Sequence, residues 1–110
     1  MANTFKNYTS RNVGTSAVTV GSYTVGASTQ TTVIGLSVAN KHANTVSVDC
    51  YLNDGSNDTY LVKNAPVPAG GALVVIGGDQ KVVLETNDNI KVVASEPTSC
   101  DVIMSLLEIT

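Results

Sequence analysis

β-Branched residues dominate this sequence and alternate with other residue types over short segments. The 110 residues include 17 Val, 13 Thr and 5 Ile. Stiff β-branched side chains pack well on the pleated surface of a sheet and are less favourable in helices. No long stretch carries the apolar spacing of an amphipathic helix. The sequence therefore predicts an all-β protein.

Period-two alternation and turn-forming residues divide the chain into eight or nine short strands. The clearest is at residues 31–39, where Ile34, Leu36 and Val38 are predicted to face the core. The proline-containing segment 65–71 is excluded from a central strand because proline has no N–H to donate. The predicted strands are residues 5–10, 17–25 (with a bend at Gly21 and Ser22), 31–39, 45–53, 60–63, 73–76, 81–85, 90–94 and 99–109.

Short strands at this spacing are typical of an antiparallel β-sandwich or a jelly-roll-like barrel. We expect a single β-sandwich domain over residues 13–110. Residues 1–12 are expected to form an N-terminal arm or an edge strand, since terminal segments are often loosely held.

The low charge of the chain limits the classes of molecule that we expect it to bind. Charged residues make up 14% of the sequence, and the net charge at pH 7 is -3 with six Lys and Arg. Nucleic-acid binding needs clustered basic side chains, so no nucleic-acid partner is expected. No apolar segment has the length of a membrane span or a signal peptide. We therefore expect no membrane association, and synthesis in the cytoplasm.

Cys50 and Cys100 each lie in an alternating apolar row of a predicted strand. A free thiol in such a row behaves as a small buried hydrophobic group, which is the favoured interpretation. The alternative is a disulfide between two rows that face each other across one core.

No residue pattern in the sequence points to catalysis or to a cofactor. His42 is the single histidine and lies in a polar connection, and no Gly-x-Ser-x-Gly turn is present to expose a serine. A thiol in an apolar row is inert because burial disfavours the reactive thiolate. We predict no catalytic residue, no cofactor and no enzymatic activity.

Two features leave binding interpretations open. Residues 53–58 are rich in Asn and Asp, whose oxygens can ligate calcium, but the same residues are the usual chemistry of a tight turn. We predict a turn and no metal site. Tyr51 and Tyr60 flank this segment and suit either cross-strand packing, which is favoured, or stacking on a sugar.

The last predicted strand is apolar on both faces towards its end. One row runs from Cys100 to Leu106, and the other ends with Leu107 and Ile109. Two interpretations stand side by side. Either the strand is central and covered on both faces, or Leu107 and Ile109 meet another subunit, since exposed apolar patches mark interfaces.

Three parts of the sequence stand out together. They are NTFKNYT at residues 3–9, YLVKNAPVPAGG at 60–71 with KVVLETND at 81–88, and DVIMSLLEIT at 101–110. Their strand and turn patterns resemble a group of small structural proteins of tailed bacteriophages, particularly those of aquatic bacteria. The resemblance spans nearly the whole chain and includes no catalytic signature.

The resemblance implies a non-enzymatic component of the virion, made in the host cytoplasm. The expected role is a capsid decoration or cement subunit. The alternatives are a tail, neck or fibre-attachment subunit, and a carbohydrate- or receptor-binding β module.

The expected partners are other copies of the chain and other virion proteins such as the major capsid protein. A trimer is the first expectation because capsid local symmetry offers threefold sites. The candidate interface residues are Phe5 and Tyr8 in the N-terminal arm, and Leu107 and Ile109 in the last strand.

Overall fold

The computed structural model describes residues 2–110, which form nine strands and one short 3₁₀ turn. The turn, Val20–Ser22, lies between the second and third strands. The prediction of an all-β chain is confirmed. In chain order the strands are β1 (Asn3–Val13), β2 (Val18–Thr19), β3 (Gln30–Asn40), β4 (Val46–Asn53), β5 (Asp58–Val67), β6 (Ala72–Ile76), β7 (Val82–Leu84), β8 (Asn89–Ala94) and β9 (Cys100–Ile109).

The strands form two antiparallel sheets that enclose a common core, so the predicted β-sandwich is confirmed. The five-stranded sheet has the order β1-β9-β3-β6, and β7 pairs with the first half of β3. The four-stranded sheet has the order β2-β8-β4-β5. In the larger sheet β9 is therefore central, and β1 forms an edge.

Valine fills much of the core between the sheets. Val33, Val38 and Val48 are fully buried, and every strand except β2 contributes at least one buried hydrophobic side chain. Burying a side chain of this size stabilises a fold by about 1.5–3 kcal/mol. Because side chains alternate along a strand, each inward row leaves a second row on the outer surface of its sheet.

A β-bulge at Ile34 changes which side of β3 each residue occupies. Pairing with β9 shifts register between Val33 and Gly35, so Ile34 is the extra residue. Val33 is buried before the bulge, and Leu36 and Val38 are buried after it. The predicted core row is correct for Leu36 and Val38 and wrong for Ile34, which is only half-buried.

The predicted strand at residues 17–25 is much shorter in the structure. Strand pairing ends at Thr19, and the chain then bends through the 3₁₀ turn, where Gly21 has a φ of 59°. A Cβ on Gly21 would lie 2.5 Å from Cβ of Tyr8, so only glycine allows this close approach beneath β1. Tyr23 and Val25 are buried without belonging to a strand.

A buried amide joins the two sheets. Asn40 is 2% exposed, and its Nδ2 donates to the carbonyl oxygens of Asn44 and Val67, each at 2.9 Å. Its Oδ1 accepts the backbone N–H of His42 at 2.8 Å. Val67 ends β5, an edge strand, so the exclusion of the proline segment from a central strand is confirmed.

Both cysteines are free and buried, as the apolar rows predict. Burial raises the pKa of the Cys50 thiol to about 12 from an ordinary value of 9.0. The thiol is therefore packed as a hydrophobic group in β4 and is unreactive in the folded state.

The burial of Cys50 predicts a loss of stability in alkaline solution. Between pH 9 and 12 the unfolded thiol ionises while the folded one stays protonated, so the unfolded state binds fewer protons. The free energy of unfolding should then fall by up to about 1.4 kcal/mol per pH unit in this range. Denaturant unfolding at several pH values from 7 to 10.5 measures this slope.

Cys50→Ala should lower the stability at pH 7 but flatten the slope above pH 9, while Cys100→Ala serves as the matched variant that retains the Cys50 thiol. Equal alkaline slopes in the wild type and Cys50→Ala would contradict the prediction.

Candidate interaction surface

The solvent-facing side of the five-stranded sheet, here named the outer face, carries most of the exposed hydrophobic surface. Among residues 2–110, four of the five strongly exposed large hydrophobic side chains lie on it: Phe5 (75% exposed), Val74 (67%), Val83 (62%) and Ile103 (47%). The fifth, Tyr60, lies on the four-stranded sheet. A concentration of this kind on one side of a small domain is typical of interaction surfaces, which makes the outer face the candidate surface of this chain.

Strand pairing arranges the outer face into three parallel rows that cross the sheet. The two outer rows carry the apolar side chains, and the middle row consists of small or short side chains. The first row is Phe5, Leu107, Thr32 and Val83; the middle row is Asn7, Ser105 and Gly35; the third row is Thr9, Ile103, Ser37 and Val74.

None of the residues in these three rows is charged. The nearest ion pair at one end of the face joins Lys41 Nζ to Asp101 Oδ1 at 2.9 Å. The bond from Lys41, with the backbone N–H of Asn12, lowers the pKa of Asp101. The three rows themselves are uncharged and suit an uncharged partner, while Lys6 and Arg11 line hollows at the sides of the rows.

The outer face is not flat, because it contains two shallow hollows. One, of about 250 Å³, is lined by Phe5, Asn7, Ile34 and Ser105 among others. The second, of about 280 Å³, lies beside Ile103. The bulge that moves Ile34 out of the core therefore also builds one wall of a hollow. Side chains of a partner can seat in such hollows beside the protruding Phe5.

The structure brings three of the four predicted interface residues together. Phe5 and Leu107 are cross-strand neighbours, and Ile109 belongs to the same outward row of β9. Tyr8 lies on the opposite, inner side of β1, where its ring centroid is 4.5 Å from that of Tyr23. Tyr8 is therefore not part of the outer face.

Val74 and Val83 belong to the outer face but were not among the predicted interface residues. Both lie in short strands whose alternation is visible in the sequence. What the sequence lacks is the pairing of β6 and β7 with β3, which places both valines in line with Phe5 and Ile103.

A polar cluster occupies the inner side of β1 near the end of the core. Tyr23 Oη donates to Glu108 Oε2 at 2.7 Å and accepts from Thr31 Oγ1 at 2.7 Å. Lys6 Nζ lies 3.0 Å from Glu108 Oε1. Burial raises the pKa of Tyr23 to about 12, and the bonds from Tyr23 and Lys6 lower the pKa of Glu108. The cluster ties β1 to β9 and β3.

The side-chain oxygens of the polar turn between β4 and β5 accept hydrogen bonds from groups within the same turn. Asp54 Oδ1 accepts the backbone N–H groups of Ser56 and Asn57 at 3.0 and 2.7 Å, which lowers the pKa of Asp54. Asn53 Nδ2 donates to Asp58 Oδ1 at 2.6 Å. These contacts are those of the predicted turn. Within residues 2–110, no group of three or more His, Cys, Asp and Glu is placed to hold a metal ion.

The remaining candidates from the sequence serve local structure. His42 Nδ1 accepts the backbone N–H of Asn44 at 3.2 Å within the connection between β3 and β4. Tyr51 and Tyr60 are cross-strand partners with ring centroids 4.9 Å apart, so the predicted cross-strand packing is confirmed. Lys63 Nζ lies 4.8 Å from the Tyr60 ring centroid, so a cation–π contact already engages that ring.

No known family model and no curated protein matches this chain. Among solved structures, the fold is similar to that of a protein from Bacillus endospore appendages, which are described as a novel family of disulfide-linked pili. The TM-score is 0.57 and the identity 12%, over 99% of this chain and 87% of that one. At this identity the likeness shows a shared fold alone.

A weaker likeness is to a protein of the virus-like particle of the extra small virus of the giant freshwater prawn Macrobrachium rosenbergii. The TM-score is 0.47 and the identity 14%, over 100% of this chain and 81% of that one. This likeness is too weak to support a conclusion. Residues 2–110 also contain no helix with the length and apolar character that a membrane span requires.

The Glu108 cluster predicts acid sensitivity of the attachment of β1. The folded pKa of Glu108 is lowered, so its stabilising effect is present above the unfolded pKa and is lost as pH falls through the folded pKa. Glu108→Gln should lower the free energy of unfolding by about 1–2 kcal/mol at pH 7, because hydrogen bonds to a charged group are lost.

Denaturant unfolding between pH 3 and 7 measures both effects. Glu108→Gln should also flatten the acid limb of the stability curve. Glu96→Gln, at an exposed position outside the cluster, is the matched control and should leave the curve unchanged. An acid limb that is equally steep in Glu108→Gln and the wild type would contradict the role of the cluster.

Proposed function

We propose that this chain is a structural component of a virus particle, a decoration or cement subunit on the capsid of a tailed bacteriophage. It acts by surface contact and self-association, without catalysis. The observation that carries the proposal is the outer face, an uncharged surface on which Phe5, Val74, Val83 and Ile103 are exposed. In this proposal the outer face docks on the capsid shell, with the major capsid protein as its partner.

The size of the outer face suits a specific contact. Four strand widths of about 4.8 Å and about ten residues of about 3.4 Å give roughly 650 Å² of sheet. Docking on a flat partner would bury about 1,300 Å² in total, within the range of about 1,200–2,000 Å² for specific interfaces. A shell repeats each site many times, so modest single contacts act together.

The sequence resemblance supports the choice of a phage particle. The fold likeness to the spore-appendage protein supports a role in an assembly of subunits more generally. That protein is described as part of disulfide-linked pili. In this chain Cys50 and Cys100 are both buried, so neither thiol is exposed for a bond between subunits. Contacts of this chain are therefore proposed to be non-covalent.

Introducing charge on the outer face tests the proposal. The double variant Val74→Lys and Val83→Lys should remain folded, because both positions are mostly exposed. Its binding to phage particles that lack the protein should fall by roughly a hundredfold, because docking would bury two unpaired charges. Co-sedimentation with purified particles measures binding, and circular dichroism checks the fold.

Tyr60→Lys is the control for added charge, since it places one lysine at an exposed hydrophobic position on the other sheet. It should bind like the wild type. Electron microscopy of decorated particles locates the bound chain. Unchanged binding of the double variant would reject the outer face as the docking surface, and density on the tail or neck would reject capsid decoration.

A further inference from the structure

The alternation of hydrogen-bonded and non-bonded residue pairs between β1 and β9 shows which backbone groups of β1 have no partner. Ala2 and Thr110 exchange two backbone hydrogen bonds, each of 3.0 Å. In an antiparallel pair, residues that exchange both bonds alternate with residues whose backbone groups point away from the partner. The register continues without a break from Asn3 opposite Ile109 to Ser10 opposite Val102. The alternation that starts with the bonded pair of Ala2 and Thr110 therefore continues from Asn3 to Ser10.

The alternation directs the backbone of four residues to the free edge of the sheet. They are the odd-numbered residues Asn3, Phe5, Asn7 and Thr9. Across the described chain, residues 2–110, β1 pairs only with β9, and no other backbone or side-chain hydrogen bond reaches these four positions. An edge of this length with unpaired N–H and C=O groups is a template for another strand.

The other edges of the sandwich are short or interrupted. β2 has two residues, and the edge formed by β6 and β7 is divided into strands of five and three residues. β5 carries Pro66 and shifts register twice against β4. Such features prevent strand addition. β1 contains neither Pro nor Gly, and its register with β9 is unbroken over the eight residues from Asn3 to Ser10, so the described chain has one long edge that is regular over this stretch.

A lysine on β1 that would discourage pairing with another strand is held in an ion pair within the chain. An inward-pointing lysine on an edge strand normally discourages strand pairing. Lys6 is such a residue, but its Nζ is 3.0 Å from Glu108 Oε1. The side chains whose backbone faces the free edge, from Asn3 to Thr9, are all uncharged. Nothing on the edge therefore repels an added strand.

We propose that β1 pairs edge to edge with β1 of a second copy of this chain, as an antiparallel dimer centred on Asn7. In this register Asn7 faces Asn7 of the other copy, and Phe5 faces Thr9, with two backbone hydrogen bonds per pair. Lys6 then lies opposite Tyr8, a pairing without like charges.

Neighbouring registers are less favourable. A register centred on Lys6 places the two Lys6 side chains opposite each other, which is destabilising. A register centred on Phe5 places Thr9 opposite no residue of the described part of the chain. Of these three registers, the one centred on Asn7 pairs Phe5, Asn7 and Thr9 with one another and avoids opposing lysines.

The proposed dimer joins the two five-stranded sheets into one and sets their outer faces side by side. The pairing has twofold symmetry, in place of the trimer expected from capsid symmetry. It uses backbone groups at the edge, whereas docking on a shell uses side chains of the outer face. The inference therefore stands or falls separately from the proposed function.

Proline at position 7 tests the pairing, because the N–H of Asn7 points to the free edge and is not needed by β9. Asn7→Pro should weaken dimerisation by at least about tenfold, since proline removes the central donor and its ring obstructs the partner strand. Asn7→Ala is the matched control, which keeps the N–H and should still dimerise. Sedimentation equilibrium over a concentration series measures both constants.

Hydrogen exchange in the wild type gives a readout that does not depend on a variant folding. The amides of Phe5, Asn7 and Thr9 should exchange about tenfold more slowly in concentrated than in dilute solution, because they are protected only in the dimer. The amide of Tyr8, bonded to β9, should be protected at both concentrations.

A wild-type chain that stays monomeric with fast exchange at Phe5, Asn7 and Thr9 overturns the proposal, as does an Asn7→Pro variant that dimerises like Asn7→Ala. The Val74→Lys and Val83→Lys double variant should dimerise normally even where it fails to bind particles. Loss of shell binding and loss of edge pairing are thereby distinguished.

Discussion

Pairing of β9 with β1 on one side and β3 on the other holds the larger sheet together. Alternation along β9 sends Met104 and Leu106 into the core and leaves Ile103 and Leu107 on the outer face. The same register lines up Phe5 with Leu107, which creates the apolar rows, and leaves the other side of β1 unpaired. The core, the outer face and the free edge are thus three consequences of one strand and its two neighbours.

Period-two patterns were sufficient to predict an all-β sandwich, because alternation reports directly which side chains face a core. They failed where geometry departs from strict alternation. The bulge at Ile34 inserts one residue, and no residue type in that segment announces it. The 3₁₀ turn after Thr19 is set by the fit of Gly21 beneath Tyr8, a contact between segments that a local pattern cannot reveal.

Three residues of the candidate surface, from two strands, were named from the sequence. The apolar end of β9 indicated Leu107 and Ile109, the N-terminal arm indicated Phe5, and the structure places Phe5 beside Leu107. Val74 and Val83 belong to the surface because β6 and β7 pair with β3. This pairing depends on the topology of the sheet. Tyr8 was grouped with Phe5 by nearness in sequence, but residues separated by an odd number along a strand lie on opposite sides of a sheet. Tyr8 therefore lies on the inner side of β1, where it packs against Tyr23.

The order of the strands along the chain has a consequence for biogenesis. β9 follows β1 and β3 by most of the sequence, yet both need it as a neighbour. Contacts between distant segments form slowly, because closing a long loop costs entropy before the contact exists. On the ribosome, β1 and β3 emerge well before the strand that aligns them. The apolar rows do not exist until β9 is in place, so a nascent chain has no finished surface with which to attach early.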